Sequence, residues 1–349
     1  MRYRFAVVTA LTCCLVVGMS RALVADPPPV PRIELVIPRS EQPHERAHEA
    51  GSSVIWFDDF DEDAFQERYP EKSGETTADV RMGESGKSLL MRYEKGSQGE
   101  GNRKVFFGDT PTYQAKAARR GEKFDEVYWR IYVKHEAGWT GGGPAKLSRA
   151  TSIVPPGWRQ AMIAHVWSSG ESLTLDPATG VRDGEVVTRR YNDFDRLRWL
   201  GNRPASKLAI HSREESGWWI CVESRAKLNS PGKKDGINQL WIDGKLEAER
   251  RDLDWRGTFD ERGINAVFLE AYWNEGSPID QSRWIDHFVI STKPIGPLVC
   301  PRNPIVVKTK LADDLLRVRL DGTSGERAEG GDAPKPSLQA WELEIAQVG

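Results

Sequence analysis

The sequence has few cysteines, four among its 349 residues. Two of these, Cys13 and Cys14, lie near the N-terminus, which leaves Cys221 and Cys300 for the rest of the chain. Two cysteines can form one bridge in an oxidising compartment, but they cannot build the multi-bridge framework that holds many small secreted domains. The sequence therefore predicts a fold held by its hydrophobic core, with either a Cys221–Cys300 disulfide or two buried thiols.

The sequence also lacks an apolar run of about 20 residues, the length that a membrane-spanning helix needs. The uncharged segment Ala6–Met19 is shorter, and it follows the positive charges of Arg2 and Arg4. Small residues come next, and this three-part pattern is typical of a secretory signal. We predict cleavage after Ala22, or alternatively after Ala25, with export to an extracellular or periplasmic location and no stable membrane insertion afterwards.

An excess of basic residues is missing as well. The formal net charge is −2, and removal of the three arginines in the signal would move it to −5. A general nucleic-acid-binding protein needs a basic face, so this charge argues against nucleic acid as a partner. A local cluster of Arg and Lys can still attract an acidic polysaccharide.

A long helical apolar stripe is absent from the sequence between residues 51 and 300. Short apolar, β-branched and aromatic runs alternate there with Gly, Pro, Asn and Asp, which is typical of an all-β domain. Asp243-Gly244 predicts a two-residue hairpin turn, because both residues tolerate positive φ. The clearest predicted strands are Val54–Phe57, Ser88–Tyr93, Val127–Lys134, Gln160–Trp167, Trp218–Leu228, Gln239–Ile242, Ala266–Tyr272 and Trp284–Ser291.

Four regions follow from these patterns: the signal (1–22), a Pro-rich polar linker (23–50), one β domain (51–300) and a C-terminal extension (301–349). A single β domain of that length is common. Residues 321–336 are rich in Gly, Asp, Ser and Pro, and we predict that they are disordered. Leu338–Ala346 alternates like one strand, which either docks on the β domain or opens a further module.

The strands of this β domain carry unusual polar faces. Alternate residues of a strand face opposite sides of its sheet, so Val127, Trp129 and Ile131 predict an inward face. The outward positions then hold Tyr128, Arg130, Tyr132, His165, Glu223, Arg225, Lys227, Glu270, Tyr272 and Asn274. Side by side, these strands would form the floor of a groove with cations and aromatic rings; the alternative is an ordinary solvated sheet face.

A series of motifs between residues 120 and 298 carries a family resemblance. The motifs are Glu126–Lys134, Gly141–Leu147, Gly217–Asn229, Asp235–Gly236, Leu240–Lys245, Ile264–Trp273 and Ile285–Phe288. In this order they resemble the jelly-roll polysaccharide lyases that include alginate and glucuronan lyases. The resemblance implies a concanavalin A-like jelly-roll β-sandwich of two antiparallel sheets, acting on an acidic polysaccharide by β-elimination.

Such a lyase must neutralise a uronate carboxylate, remove the neighbouring proton and protonate the leaving oxygen, and it needs no cofactor for this chemistry. The resemblance places Lys146 in the functional Gly-rich loop. The candidate catalytic residues are Lys146, His165, Tyr191, Arg225 and Tyr272. The candidate substrate-binding residues are Tyr128, Arg130, Tyr132, Glu223, Lys227, Glu270 and Asn274.

One expected motif is missing. The resemblance leads us to expect a Ser-x-Arg pair on the strand after the Gly-rich loop, where this chain has Gln160–Trp167. His165 either replaces part of that pair or is a core histidine.

Two other functions remain open. A carbohydrate-binding sandwich without catalysis fits the same aromatic and polar faces. A glycoside hydrolase needs two carboxylates about 5–9 Å apart, and Glu223 with Glu270 is the candidate pair.

The resemblance also implies a structural Ca²⁺ site, since sandwiches of this superfamily often carry one. Hard cations bind clustered oxygens, and Asp59 with Asp286 would meet if the first and last strands pair. An acidic strand edge that resists aggregation is the alternative.

Overall fold

The computed structural model describes residues 53–82, 86–140, 145–212 and 215–297, and the strand backbones of 310–312, 315–319 and 342–346. The predicted signal and linker lie outside these residues, as do the predicted disordered segment 321–336, the glycines of the Gly141–Leu147 motif, and Cys300. Within the described residues, no helix has the length and apolar character to cross a membrane.

The described chain consists of β-strands with two short 3-10 helices, Asp63–Arg68 and Gln114–Lys116. In chain order the strands are β1 (Val54–Asp58), β2 (Glu71–Lys72), β3 (Thr76–Thr77), β4 (Ser88–Tyr93), β5 (Arg103–Phe106), β6 (Glu126–His135), β7 (Ala145–Val154), β8 (Arg159–Ser169), β9 (Ser172–Thr179), β10 (Val181–Arg182), β11 (Glu185–Val186), β12 (Arg198–Trp199), β13 (Trp219–Lys227), β14 (Gly236–Ile242), β15 (Lys245–Leu253), β16 (Ala266–Trp273), β17 (Gln281–Ser291), β18 (Lys310–Ala312), β19 (Leu315–Arg319) and β20 (Glu342–Ala346).

Two antiparallel sheets form the β domain. Sheet A has the order β15-β14-β13-β6-β17-β4-β3, with β1 also paired to β17, and sheet B has the order β12-β9-β8-β7-β16-β5-β2. Strands that are neighbours in a sheet are often far apart in the chain, as β6 and β17 are. This arrangement confirms the predicted jelly-roll β-sandwich.

The inward faces of both sheets form one hydrophobic core. Val127, Trp129 and Ile131 of sheet A pack with Val267 and Leu269 of sheet B in the same cluster. Their burial confirms the alternation predicted for β6 and β16. Burial of each such side chain contributes about 1.5–3 kcal/mol to folding, so the alternating pattern is sufficient to define which face of each strand is inside.

The predicted hairpin is present between β14 and β15. Asp243 and Gly244 have φ values of 49° and 79°, the left-handed region that such a turn requires. All the predicted strands are also present, with ends that differ by a few residues. The predicted C-terminal strand corresponds to β20, which pairs with β19, so its partner precedes it in the chain.

Candidate functional site

A β-bulge places two cationic side chains on the outer face of sheet B. The register between β7 and β8 shifts between Lys146 and Ser148. Leu147 and Ala150 pack in the core, and the indole N–H of Trp129 donates to the Ser148 hydroxyl from the core side (3.0 Å). The extra inward residue sends both Lys146 and Arg149 outward, three positions apart, as a bulge allows.

Arg149 forms a buried ion pair with Glu270 of the neighbouring strand β16. Its Nε donates to Glu270 Oε2 (2.9 Å) and its Nη2 to Glu270 Oε1. Nη1 donates to Asn192 Oδ1 (2.9 Å) and Nη2 to the Tyr191 hydroxyl (2.7 Å). Burial opposes the charge, but Glu270 and Tyr191 raise the pKa of Arg149 above its usual value. The guanidinium is therefore a permanent and rigidly held cation.

Lys146 lies beside this pair, between two aromatic rings. Tyr272 and Trp167 are its cross-strand partners on the two neighbouring strands. Its Nζ is 4.2 Å from the ring centroid of Tyr272 and 5.6 Å from that of Trp167. Burial, together with the charge of Arg149, lowers the pKa of Lys146 to about 8, although Glu270 acts in the opposite direction. Lys146 therefore exchanges its proton in a mildly basic solution.

His165 also projects from the outer face, but it is covered. Its exposed fraction is 0%, and its ring is 4.9 Å from the Trp167 ring and stacked on Trp199 at 5.8 Å. Burial, with Arg149 and Lys146 nearby, holds its pKa well below the usual value. Neither ring nitrogen has a hydrogen-bond partner in the described part of the chain. This burial favours the core-histidine interpretation.

Aromatic side chains flank the cationic centre. On the β5 side, Lys104 Nζ lies 4.8 Å from the Trp158 ring, and the Tyr191 ring is 5.4 Å from Trp158. On the β9 side, Phe194 is 50% exposed and stacks on Trp199 at 6.4 Å. We call this outer face of sheet B, from Trp158 to Phe194, the cationic groove.

The remaining polar candidates lie on the other sheet. Tyr128, Arg130, Tyr132, Glu223, Arg225 and Lys227 belong to β6 and β13, whose outer face is on the opposite side of the sandwich. Arg225 donates to Glu126 (2.7 Å) and to Gln239 (2.7 Å). The expectation of one groove floor containing all these strands is therefore wrong, because β6 and β13 pair with each other in sheet A, whereas β8 and β16 flank β7 in sheet B.

Glu223 and Arg130 hold the backbone that follows β17. The Glu223 carboxylate accepts from the backbone N–H groups of Ile295 (2.9 Å) and Gly296 (2.7 Å), and Arg130 donates to the Gly296 carbonyl (3.0 Å). Packed sheets are about 10 Å apart, so carboxylates on opposite outer faces exceed the spacing that a glycosidase needs. The Glu223–Glu270 pair proposed for a hydrolase is therefore not formed.

The last candidates lie outside the cationic groove. Asn274 follows β16 and is exposed. Cys221 is a buried thiol, and burial raises its pKa to about 12; because Cys300 is outside the described residues, the disulfide stays a prediction. Asp59 Oδ1 accepts from the backbone of Asp61.

The aspartate predicted to join Asp59 at a metal site has other partners. Asp286 accepts from the backbone N–H groups of Met82 (3.1 Å) and His287 (2.7 Å). The described residues contain no group of three or more His, Cys, Asp or Glu placed to hold a metal ion. A calcium site at Asp59 and Asp286 stays a prediction.

Arg149, Asn192 and the Trp158–Trp199 aromatic set were not predicted as site residues. A period of two assigns Arg149 to the same face as Leu147, because strict alternation does not show where a bulge interrupts a strand. A run of Lys146-Leu-Ser-Arg149 beside a Gly-rich segment was the only available signal.

Comparison with known proteins supports the fold. No family model and no curated protein matches the chain. An alginate lyase from a Chlorella virus is 11% identical, with a TM-score of 0.50, over 69% of this chain and 100% of that chain. An endo-β-1,4-glucuronan lyase from the fungus Trichoderma reesei is 14% identical, with a TM-score of 0.46, over 69% of this chain and 96% of that chain. The chain is thus similar in fold to the Chlorella virus alginate lyase.

Proposed function

We propose that this protein is an exported lyase that cleaves an acidic polysaccharide of uronate units by β-elimination in the cationic groove. The observation that carries the proposal is the position of Lys146, which lies over the Tyr272 ring (4.2 Å) and beside the ion pair of Arg149, with its pKa lowered to about 8 by burial. A proton-transfer group works best when its pKa is near the working pH. One solved structure that shares the fold is an alginate lyase, which supports the same reaction class.

The charge of the groove supports an anionic substrate. Lys146 and Arg149 are two cations beside one carboxylate, Glu270. When Lys146 is protonated, these three groups carry one excess positive charge in a partly desolvated site. A uronate carboxylate compensates that charge, and its attraction is strengthened where water is excluded. A neutral sugar offers no such compensation.

The proposed reaction needs one group that removes a proton from the substrate and one that donates a proton to the leaving oxygen. Lys146 first releases its own proton to solvent, and its neutral amine then takes the proton from the ring carbon next to the substrate carboxylate. The released electron pair forms a carbon–carbon double bond to the neighbouring ring carbon as the bond from that carbon to the glycosidic oxygen breaks. The Tyr272 phenol then protonates the departing oxygen. The products are an unsaturated uronate end and a free sugar hydroxyl.

Charge develops on the substrate carboxylate during proton removal, and fixed donors stabilise it most effectively. Arg149 supplies a held cation. The Oδ1 atom of Asn192 accepts from Arg149 and helps to hold the guanidinium in place.

A carbohydrate-binding protein without catalysis is the second candidate. The aromatic rings at both ends of the groove favour it, because flat rings such as those of Trp158 and Phe194 stack on sugars. In that function the Arg149–Glu270 pair forms part of the floor of the cationic groove, and Lys146 contributes only its positive charge.

The experiment is absorbance near 235 nm, where unsaturated uronates absorb, with purified protein and a panel of alginates, glucuronans and pectates. We expect a rise that Lys146→Ala abolishes. Lys134→Ala is the matched control, since Lys134 also lies over an indole ring (Trp219, 5.9 Å) but on sheet A. Binding of a polymer with no rise for any of them would replace the lyase by the binding function.

A further inference from the structure

Arg283 crosses the hydrophobic core between the two sheets. It belongs to β17 of sheet A, where it pairs with Met91 and His135, and its exposed fraction is 0%. Its Nη2 donates to the backbone carbonyl of Lys146 (2.5 Å) and to that of Glu270 in sheet B. Burial of a charged side chain in the core of a β-sandwich is costly, so we asked what the contacts of Arg283 contribute.

Both carbonyls lie where the sheet ladder is interrupted. The β7–β8 register shifts between Lys146 and Ser148, and the β16–β7 register shifts between Leu269 and Tyr272. A bulge leaves backbone groups without their ladder partners, and a buried carbonyl without a partner is destabilising. The Nη2 group of Arg283 donates to both carbonyls from the core side of sheet B.

The two residues held by Arg283 are the ones whose side chains form the centre of the cationic groove. Lys146 provides the proposed base, and Glu270 orients Arg149 through their ion pair. One guanidinium has fixed geometry, so it sets the spacing between the two carbonyls that it joins. The distance between Lys146 and Glu270 is thereby defined by a residue from the opposite sheet.

We infer that Arg283 is a positioning residue of the cationic groove, which holds the bulged backbone at Lys146 and Glu270 in the arrangement needed for catalysis. This inference rests on the proposed lyase function, although the geometry that it describes can be measured without turnover. Arg283 touches no substrate, and it acts only through the two strands.

The test compares Arg283→Met, Arg283→Lys and a matched control, Arg103→Met. Arg103 is another fully buried arginine, and it donates to the backbone carbonyls of Ser73 and Asn102 rather than to groove residues. All variants are first compared by thermal unfolding. We expect both methionine variants to unfold at lower temperature than the parent protein, because each loses a buried donor.

The first discriminating measurement determines kcat and KM separately for each variant, with the polymer that the parent protein cleaves. We expect Arg283→Met to lower kcat by about 100-fold with little change in KM, since a displacement of about 1 Å at a reacting group has that effect. Arg283→Lys, which keeps a donor, should recover part of the loss. Arg103→Met should stay within about threefold of the parent. Equal losses of kcat in the two methionine variants would overturn the inference.

The second readout works even if no polymer is cleaved. Proteins labelled with ¹³C at the lysine ε-carbon are titrated by NMR, and the signal of Lys146 is assigned from its absence in Lys146→Arg. We expect Arg283→Met to move the titration of Lys146 by about one unit towards the ordinary value, because a relaxed bulge exposes the amine. Arg103→Met should leave it unchanged. An unchanged titration in Arg283→Met refutes the positioning role, whereas an inactive parent protein refutes only the lyase.

Discussion

Lys146 and Arg149 project from the same face of β7 although they are three positions apart. The bulge at Leu147–Ser148 turns two consecutive residues inward, and the next residue returns to the outer face. This places a lysine of lowered pKa next to a permanently charged arginine. The lysine and the ion pair of Arg149 therefore behave as one electrostatic unit.

Breaking the Arg149–Glu270 pair should strongly destabilise the protein. In Glu270→Gln the buried guanidinium loses its carboxylate, and a buried unpaired charge of this kind costs about 3–5 kcal/mol. Urea unfolding measures the change in the free energy of unfolding. The control is Glu275→Gln, at an exposed position two residues past the end of β16, the strand that contains Glu270. There we expect a change within about 0.5 kcal/mol. Equal effects of the two substitutions would show that the ion pair has no structural importance.

The activity of the proposed lyase should rise with pH through about 8. Proton removal needs the neutral amine, and burial sets the pKa of Lys146 to about 8, so protonation below that value removes the base. The measurement is kcat/KM from pH 6 to about pH 9.5. Because Glu270 favours the ammonium form, the midpoint should fall in Glu270→Gln. A profile that declines across this range would assign the base to another group.

Acid should destabilise the folded protein through buried histidines. His211 contacts Ser168, the Gly170 carbonyl and the ring of His135, and burial lowers its pKa to about 4. The unfolded chain takes up this proton at about pH 6.5. Stability is therefore fully present above pH 6.5 and is lost as the pH falls towards 4, by about 3 kcal/mol for this group.

A comparison with His211→Gln isolates that contribution. Burial raises the pKa of Asp58 to about 7, so Asp58 acts with the opposite sign: its stabilisation is present at low pH and declines as the pH rises towards 7. Asp58 titrates in both proteins and cancels in the difference. Urea unfolding at pH 7.5 and about pH 4.5 should show the smaller acid loss in the variant, and an equal loss would exclude His211 as the cause.

Removal of an exposed ring at the groove end should weaken polymer binding without unfolding the protein. Phe194 is 50% exposed, so Phe194→Ala removes little core packing. We expect about a tenfold increase in the Kd for the bound polysaccharide, or about 1.4 kcal/mol, measured by calorimetry. Leu246→Ala, at a 42% exposed residue of the β14–β15 hairpin in sheet A, is the control. An unchanged Kd in Phe194→Ala would place the polymer elsewhere.

Local patterns were sufficient for much of the fold. Alternation identified the inward residues of β6, β13 and β16, and Asp243-Gly244 identified the hairpin between β14 and β15. These features depend on the period of two and on the conformational freedom of turn residues, both of which act over a few neighbouring positions. Glu270 and Tyr272 were also predicted on outward positions. Lys146 was predicted in the Gly-rich loop, whereas the structure places it in β7, opposite Tyr272.

The sequence by itself determined which face of each strand is buried, because apolar side chains at alternate positions must share one side. Only the tertiary structure decided which outer face each polar residue joins, since strands pair across long separations in the chain. It separated Arg225 and Glu223 from Glu270, and it brought Arg149 to Lys146 through a bulge. It also extended Arg283 through the core to the carbonyl of Lys146, 137 residues away in the chain. Such contacts depend on register and bulges, which arise from the packing of the whole sandwich and leave no periodic signal in the chain.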